Sequence, residues 1–288
     1  MIYGKKVKVN DTFLNIYTEG EKGDIIVFMA GSGVTSPVLE YKPLYRRLSD
    51  DYRIAVVEKA GYGFSGSMTT ERTVENLVAE SREALLKAGL KPPYILAPHS
   101  YSGIEAIWWA NSYPDEIKAI LGIDMVFPNM ALAQAKEIPE NKKLKMVVQQ
   151  KKFLGIIAKR GLISRILKNQ TINVSGLMTG NELSADEKKM YQKLFYKNLL
   201  NQEVFDESVL ATENAVKADK SGIIKCPACF YISSMKSPVK SLTWQNAGRI
   251  YAEKCGGEYH LSKEGHTLYA SVPLEMAETF KTFLKKIS

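Results

Sequence analysis

The chain has 288 residues, of which 45% are hydrophobic and 24% are charged, and a net charge of +8. This length provides one large hydrophobic core, alone or with an inserted subdomain. No apolar run reaches the roughly 20 residues that span a bilayer, and the N-terminus lacks an apolar signal core, which argues against a membrane-spanning or secreted protein. We therefore expect a cytoplasmic protein, and a removed leader or membrane anchor is compatible with this expectation.

The positive charge is concentrated in one segment. Residues 136–168 contain ten Lys or Arg and two Glu, an excess equal to the net charge of the whole chain. Such a segment could contact an anionic membrane surface, but a solvated helix face is the more ordinary interpretation. We predict no nucleic-acid partner, and the sequence leaves the oligomeric state open.

Apolar strand-like runs alternate with helical patterns in the first half of the chain, as is typical of an α/β sheet. The predicted strands in this half are 6–9, 14–17, 25–29, 52–58, 94–98 and 119–123, the first two forming an antiparallel pair. The predicted helices are 37–48, 73–88 and 103–112.

The alternation stops between residues 128 and 222. This stretch is helical in pattern and rich in lysine, with predicted helices at 143–158, 161–167 and 185–201. The alternation then resumes with strands at 228–232 and 258–261 and helices at 242–255 and 273–287. We predict a mostly parallel, eight-stranded sheet flanked by helices, its two parts being 1–127 and 223–288, with 128–222 as a helical cap insertion.

The pair Cys226-Pro-Ala-Cys229 resembles a redox or metal motif. It leads directly into a predicted strand, where residues three apart point to opposite faces and cannot easily share a metal or form a disulfide. We interpret these residues as buried, reduced thiols and predict no metal site.

Ser100 lies between a predicted strand and a predicted helix, in Tyr94-Ile-Leu-Ala-Pro-His-Ser-Tyr-Ser-Gly103. A serine at such a turn presents its hydroxyl clear of the sheet, as hydrolase nucleophiles do. The usual pattern is Gly-x-Ser-x-Gly, whereas Pro98 and Ser102 occupy the glycine positions here and Gly103 comes one residue later. A helix N-cap is the alternative role for this serine.

A nucleophilic serine needs a histidine base and a carboxylate that orients the histidine. His99 adjoins the serine with its ring expected to point away, and His260 lies inside the last strand. His266 follows that strand in a polar loop and is the predicted base. No acid follows strand 228–232 before Glu253, whereas Asp124 ends strand 119–123 in an apolar setting.

We therefore predict Asp124 as the third member of the triad. If it does not have this role, Glu253 or Glu264 is the next choice. The alternative role for Asp124 itself is to cap a helix or to bind backbone amides.

The developing oxyanion of an acyl-transfer reaction needs N–H donors. Gly31-Ser32-Gly33 follows a predicted strand, and we expect the N–H groups of Ser32 and Tyr101 to form the oxyanion hole. A phosphate loop is the alternative for Gly31-Ser-Gly33, but neither complete phosphate-binding pattern is present. We predict no cofactor.

These segments together resemble the α/β-hydrolase superfamily over almost the whole chain. Glu58-Lys-Ala-Gly-Tyr-Gly-Phe-Ser65 is similar to the Asp-Arg-x-Gly-x-Gly-x-Ser block of many members, although Ala30-Gly31 replaces the usual His-Gly. An acid after the sixth strand resembles one branch of haloalkane dehalogenases. Those enzymes use an aspartate nucleophile, so Ser100 in that position implies acyl transfer to water.

The resemblance implies a serine hydrolase from a capped, esterase-like or aminopeptidase-like branch, acting on a small or medium carboxylic ester. An aminopeptidase or amidase with the same triad is the first alternative, in which Glu182, Glu187 or Glu203 would bind the substrate amine. A non-catalytic ligand-binding protein on a hydrolase scaffold is the second alternative.

Overall fold

The computed structural model of the chain describes residues 3–138, 145, 148–149, 176–199 and 201–287. Within this part of the chain, none of the helices combines the length and the apolar character that a membrane crossing requires.

Eight strands form one twisted sheet in the spatial order β1, β2, β4, β3, β5, β6, β7, β8. β2 runs antiparallel to both of its neighbours, and every pairing from β4 to β8 is parallel. The predicted mostly parallel, eight-stranded sheet is therefore confirmed. The strands are β1 (Lys5–Val9), β2 (Thr12–Glu19), β3 (Ile25–Met29), β4 (Arg53–Glu58), β5 (Tyr94–Pro98), β6 (Ile117–Ile123), β7 (Ala228–Ile232) and β8 (Glu258–Leu261).

The central strands are buried on both faces because helices cover both sides of the sheet. All five residues of β5 and of β7 are buried, whereas β8 at the edge is partly exposed along its length. Continuous apolar runs of this kind are typical of parallel strands that lie between two helical layers.

Of the predicted helices that fall on described residues, five agree with the structure to within a few residues and one is an exception, and three further helices, Pro128–Glu137, Gln202–Lys220 and Leu268–Ser271, were not predicted individually. The described α-helices are α1 (Pro37–Glu40), α2 (Lys42–Tyr45), α3 (Val74–Lys87), α4 (Ser102–Ser112), α5 (Pro128–Glu137), α6 (Ala185–Asn198), α7 (Gln202–Lys220), α8 (Trp244–Cys255), α9 (Leu268–Ser271) and α10 (Pro273–Lys286).

The exception is the single helix predicted over 37–48, which is wrong. The structure has two four-residue helices, α1 and α2, that meet at Tyr41. Pro43 explains the break, because its nitrogen has no hydrogen to donate to the preceding turn and its ring clashes there. The Tyr41 side chain at this junction points into the core, where it is fully buried.

In the stretch predicted as a cap, the structure describes α5, α6 and α7. α7 packs on α4 and α5, and the Tyr101 hydroxyl donates a hydrogen bond of 2.5 Å to the carbonyl of Ala211 in α7. The predicted helices at 143–158 and 161–167 fall almost entirely outside the described residues, and so does most of the basic segment. The boundaries at 128 and 222 stay a prediction.

A buried group of charges connects α7 to the sheet. The Lys59 ammonium lies 2.8 Å from a carboxylate oxygen of Glu105 in α4 and 3.1 Å from one of Glu207 in α7, and all three side chains are at least 95% buried. Removing one partner from a buried ionic group leaves the others uncompensated in a medium of low dielectric constant.

We expect Lys59→Met to lower the free energy of unfolding by about 3–5 kcal/mol, because the buried Glu105 would lose its cation and the buried Glu207 would keep, among the described residues, only the cation of Arg72, at 3.6 Å. Denaturant titration would measure this loss. Lys118→Met is the matched control, since Lys118 pairs with Asp24 at the same 2.8 Å but at the surface, where a pair contributes at most about 1 kcal/mol. Equal losses in the two variants would contradict the expectation.

Candidate active site

Ser100 occupies a sharp turn between β5 and α4. Its φ of 54° lies in the left-handed region, where a residue with a Cβ atom is strained. The strain is held by the surrounding backbone: the Ser100 carbonyl accepts hydrogen bonds from Gly103 N at 3.0 Å and Val126 N at 2.7 Å. This strand-to-helix turn, the elbow, places the hydroxyl beyond the carboxyl end of the sheet, where the sequence predicted a nucleophile.

The structure brings the three predicted triad residues into one hydrogen-bonded chain. Ser100 Oγ lies 2.8 Å from His266 Nε2, and His266 Nδ1 lies 2.6 Å from Asp124 Oδ2. Asp124 is an acceptor only, so Nδ1 carries a hydrogen and Nε2 accepts from the serine hydroxyl. The imidazole is thereby held in the tautomer that can take a proton from the serine.

Asp124 is fully buried, has a φ of 46°, and is hydrogen-bonded through both carboxylate oxygens. While Oδ2 faces His266, Oδ1 accepts from the backbone N–H of Ser233 and from the indole N–H of Trp244, each at 2.7 Å. These two donors stabilise the charge that burial would otherwise disfavour. The backbone-amide role that the sequence left as an alternative is thus present together with the contact to the histidine.

Two of these neighbours were missed by the sequence analysis. Ser233 follows β7, the position where the acid was expected and absent, and Trp244 is the first residue of α8. The loop after β7 therefore supplies donors to an acid that belongs to β6. The sequence did show an aspartate in an apolar setting and no acid after β7, which indicates that Asp124 needs hydrogen-bond donors. It does not indicate which residues supply them.

Two N–H groups near Ser100 have no acceptor among the described residues. In the loop 31–36, every N–H except that of Ser32 donates a hydrogen bond, and between 100 and 104 every N–H except that of Tyr101 does so. These are the two donors that the sequence predicted for the oxyanion hole. Both belong to segments that meet at the elbow.

Close packing joins the glycine loop to the elbow. A Cβ atom on Gly31 would lie 2.7 Å from Ser100 Cβ and 2.8 Å from the His99 carbonyl oxygen. One on Gly103 would lie 2.4 Å from the Val126 carbonyl oxygen. In the usual pattern, a glycine two residues after the serine permits this close approach. Here Gly103, three residues after Ser100, permits it, which explains why Ser102 can occupy the usual glycine position.

We expect Gly31→Ala to lower kcat by about 10²-fold or more, because the loop must move away from the elbow and carry the Ser32 N–H with it. Steady-state hydrolysis of an activated ester would measure the change. Gly265→Ala is the control, since a Cβ atom there meets only open space although the residue adjoins His266. Equal activity of the two variants would contradict the packing argument.

The carboxylates considered for binding a substrate amine are each engaged elsewhere. Each of them makes an ion pair or a backbone hydrogen bond with a residue outside the triad: Glu182 with Arg47 at 2.8 Å, Glu187 with Lys42 at 2.5 Å, and Glu203 with the Met68 N–H at 3.3 Å. This arrangement weakens the aminopeptidase hypothesis in the form that the sequence allowed.

All three cysteines are free, with Cys229 buried and Cys226 partly buried. Cys229, Glu258 and His260 place potential metal-ligand atoms within 4.8 Å of one another at the edge of the sheet, a cluster that the sequence analysis missed. Burial, and then the Glu258 carboxylate, raises the pKa of the Cys229 thiol to about 12. Glu258 also pairs with Lys286 at 3.0 Å. A protonated thiol and a neutralised carboxylate are poor metal ligands.

The overall fold is similar to those of solved structures. The epoxide hydrolase of Bacillus megaterium, solved with an inhibitor, aligns with a TM-score of 0.73 over 98% of this chain and 100% of its own, at 14% sequence identity. The chain has the α/β-hydrolase fold. No protein-family model matches it.

Among curated proteins, uncharacterized YbdG of Bacillus subtilis strain 168 is 35% identical over 215 residues, which are 75% of this chain and 63% of YbdG. The 2-(acetamidomethylene)succinate hydrolase of Mesorhizobium japonicum is 28% identical over 120 residues, 42% of each protein. This α/β-hydrolase-fold chain thus spans less than two thirds of the length of these relatives.

Proposed function

We propose that this protein is a serine hydrolase that cleaves small or medium carboxylic esters through an acyl-enzyme intermediate. The observation that supports the proposal best is the continuous hydrogen-bonded chain from Ser100 Oγ through His266 to Asp124, at 2.8 and 2.6 Å. A helix N-cap serine would need none of these partners. The resemblance of the fold to an epoxide hydrolase does not by itself choose the chemistry, since one fold serves many reactions.

In the proposed reaction, Ser100 Oγ attacks the ester carbonyl carbon while its proton passes to His266 Nε2. The tetrahedral intermediate carries its negative oxygen between the N–H groups of Ser32 and Tyr101. Collapse breaks the bond to the alcohol oxygen, which receives the proton from His266. A water molecule then attacks the acyl-enzyme by the same steps, releasing the acid and restoring Ser100.

The unfilled donors support this assignment of the oxyanion hole. An N–H group that makes no hydrogen bond within the protein is available to a ligand or to water. Among the described residues, the N–H groups around the elbow without an acceptor belong to Ser32, which is exposed, and to Tyr101, which is half-buried, so a substrate oxygen can reach both. Tyr101 stands at the N-terminus of α4, where the helix dipole also favours negative charge.

Amide hydrolysis is the second candidate function. The relative from Mesorhizobium japonicum is named for a substrate with an acetamido group, and the same triad can cleave amides. A ligand-binding protein without turnover is the third candidate. Such a protein would not need Asp124 to fix the tautomer of His266.

A substrate panel tests the proposal and separates its alternatives. Nitrophenyl esters from acetate to octanoate, acyl and aminoacyl nitroanilides, and a styrene epoxide would be assayed together, with mass spectrometry of the quenched enzyme. We expect ester turnover and an acyl adduct on Ser100. Faster turnover of anilides would favour the amidase alternative, and tight binding without any adduct or turnover would favour the ligand-binding protein.

A further inference from the structure

The loop that carries Ser32 is held by hydrogen bonds on both sides of this residue. Gly31 N donates to the hydroxyl oxygen of Tyr41 at 3.3 Å, and Gly33 N donates to the hydroxyl oxygen of Tyr62 at 3.4 Å. Both tyrosine side chains are at least 99% buried. The hydroxyl oxygens of two tyrosines thus accept hydrogen bonds from the N–H groups on either side of the Ser32 N–H, which has no acceptor among the described residues.

The direction of the hydrogen bonds at Tyr41 follows from its partners. His99 Nε2 lies 3.3 Å from the carbonyl oxygen of His266, which can only accept, so this nitrogen carries a hydrogen. Burial, and then the neighbouring His266 ring, lowers the pKa of His99 well below its usual 6.5, so the ring is neutral and Nδ1 accepts. The Tyr41 hydroxyl, 3.3 Å from Nδ1, therefore donates to His99 and keeps a lone pair for Gly31 N.

Tyr62 is oriented in the same way by a charge. Its hydroxyl donates to a carboxylate oxygen of Glu207 at 2.8 Å, and that oxygen also accepts from Lys59 at 3.1 Å. Because a carboxylate only accepts, the Tyr62 hydrogen points to Glu207 and the oxygen faces Gly33 N. Glu207 lies in α7, so this contact also joins the loop to the stretch predicted as a cap.

We propose that Tyr41 and Tyr62 are positioning residues that aim the Ser32 N–H at the oxyanion. By occupying the N–H groups of Gly31 and Gly33, they fix the orientation of the peptide planes on either side of Ser32. They also withhold those groups from the substrate, so that the loop presents a single donor. This inference rests on the proposed serine-hydrolase function, because it assigns the geometry of that function's oxyanion hole.

The expected effect is intermediate in size. Removing an oxyanion donor outright costs about 10²–10³-fold in kcat, whereas the tyrosines act through the donor, over hydrogen bonds of 3.3 and 3.4 Å that are slightly longer than is usual. We therefore expect each single replacement by phenylalanine to lower kcat by about 10-fold with KM changed less than about 2-fold, and the double variant to approach about 10²-fold.

The test uses Tyr41→Phe, Tyr62→Phe and the double variant of these two, and compares them with Tyr94→Phe as a control. The measurements are kcat and KM for a nitrophenyl ester, the rate of fluorophosphonate labelling, and thermal unfolding. Tyr94 is a control because it is also a buried tyrosine whose hydroxyl donates a hydrogen bond, in its case to the carbonyl of Leu90 at 2.9 Å, away from the triad and the glycine loop. We expect labelling to slow with kcat in the first three variants and to stay at the wild-type rate in Tyr94→Phe.

The outcomes separate the inference from the proposed function. If the wild type neither labels nor turns over esters, the proposed function fails and this inference falls with it. If the wild type is active and both single variants match Tyr94→Phe, or raise KM while leaving kcat unchanged, the inference is wrong and the proposed function stands. If one single variant does not fold, the kcat and KM of the other decide.

Discussion

Replacing Ser100 by alanine should abolish labelling by a fluorophosphonate and lower ester kcat by a factor on the order of 10⁶, the size seen when a triad nucleophile is removed. The reason is that the hydroxyl 2.8 Å from His266 Nε2 is the group that forms the acyl bond in the proposed reaction. Intact-mass spectrometry after exposure to the reagent measures labelling directly. The wild type should gain the mass of one phosphonyl group.

Ser102→Ala is the matched control for this experiment. Ser102 stands two residues away, is fully buried, and donates its hydroxyl hydrogen toward the carbonyl oxygens of Met29 and His99, at 2.9 Å each. Its loss should reduce stability while leaving an adduct on Ser100. An adduct that survives Ser100→Ala, or a folded wild type that takes up no reagent, would overturn the assignment of the nucleophile.

Replacing Asp124 by asparagine should lower kcat by a factor on the order of 10⁴, by analogy with the serine-protease aspartate. Oδ1 of Asp124 receives two hydrogen bonds, from Ser233 N and Trp244 Nε1, so the asparagine carbonyl oxygen would keep that side. The amide NH₂ would then face His266 Nδ1 and donate to it. The hydrogen on the imidazole would move to Nε2, which could no longer accept the proton of Ser100.

The controls for Asp124→Asn are Glu253→Gln and Glu264→Gln, since these were the other acids that the sequence left open. Both side chains are exposed, and Glu253 pairs with Arg249 at 2.8 Å. We expect both variants to retain the wild-type kcat. A near-normal kcat for Asp124→Asn, or a loss of several orders of magnitude for either glutamate variant, would move the orienting acid to the glutamate concerned.

Much of the fold could be predicted from local patterns. All eight strands were anticipated because buried parallel strands produce apolar runs that helices between them interrupt. The single helix predicted over 37–48 was wrong because an amphipathic pattern continued across Pro43, and the break depends on a missing N–H that apolar periodicity does not register. In this case the break directs Tyr41 into the core beside the glycine loop.

The candidate site, too, could be predicted from the sequence only in part. Ser100, Asp124 and His266 each follow a strand, so the topology of parallel strands predicts that they approach each other at the carboxyl edge of the sheet. The structure places them in hydrogen-bond contact there. Ser32 and Tyr101 were selected by position as well. That their N–H groups have no acceptor in the described part of the chain depends on the hydrogen bonds that all neighbouring N–H groups make in the tertiary structure.

The sequence by itself determined the order of elements, the elbow, and the three residues that form the hydrogen-bonded chain, since each depends on local pattern and position along the chain. The tertiary structure alone decided which groups surround them. Trp244 and Ser233 at Asp124, and Tyr41 and Tyr62 at the glycine loop, reach their partners from sequence separations of 10 to 120 residues. Such contacts depend on how layers pack in three dimensions, and no local periodicity encodes them.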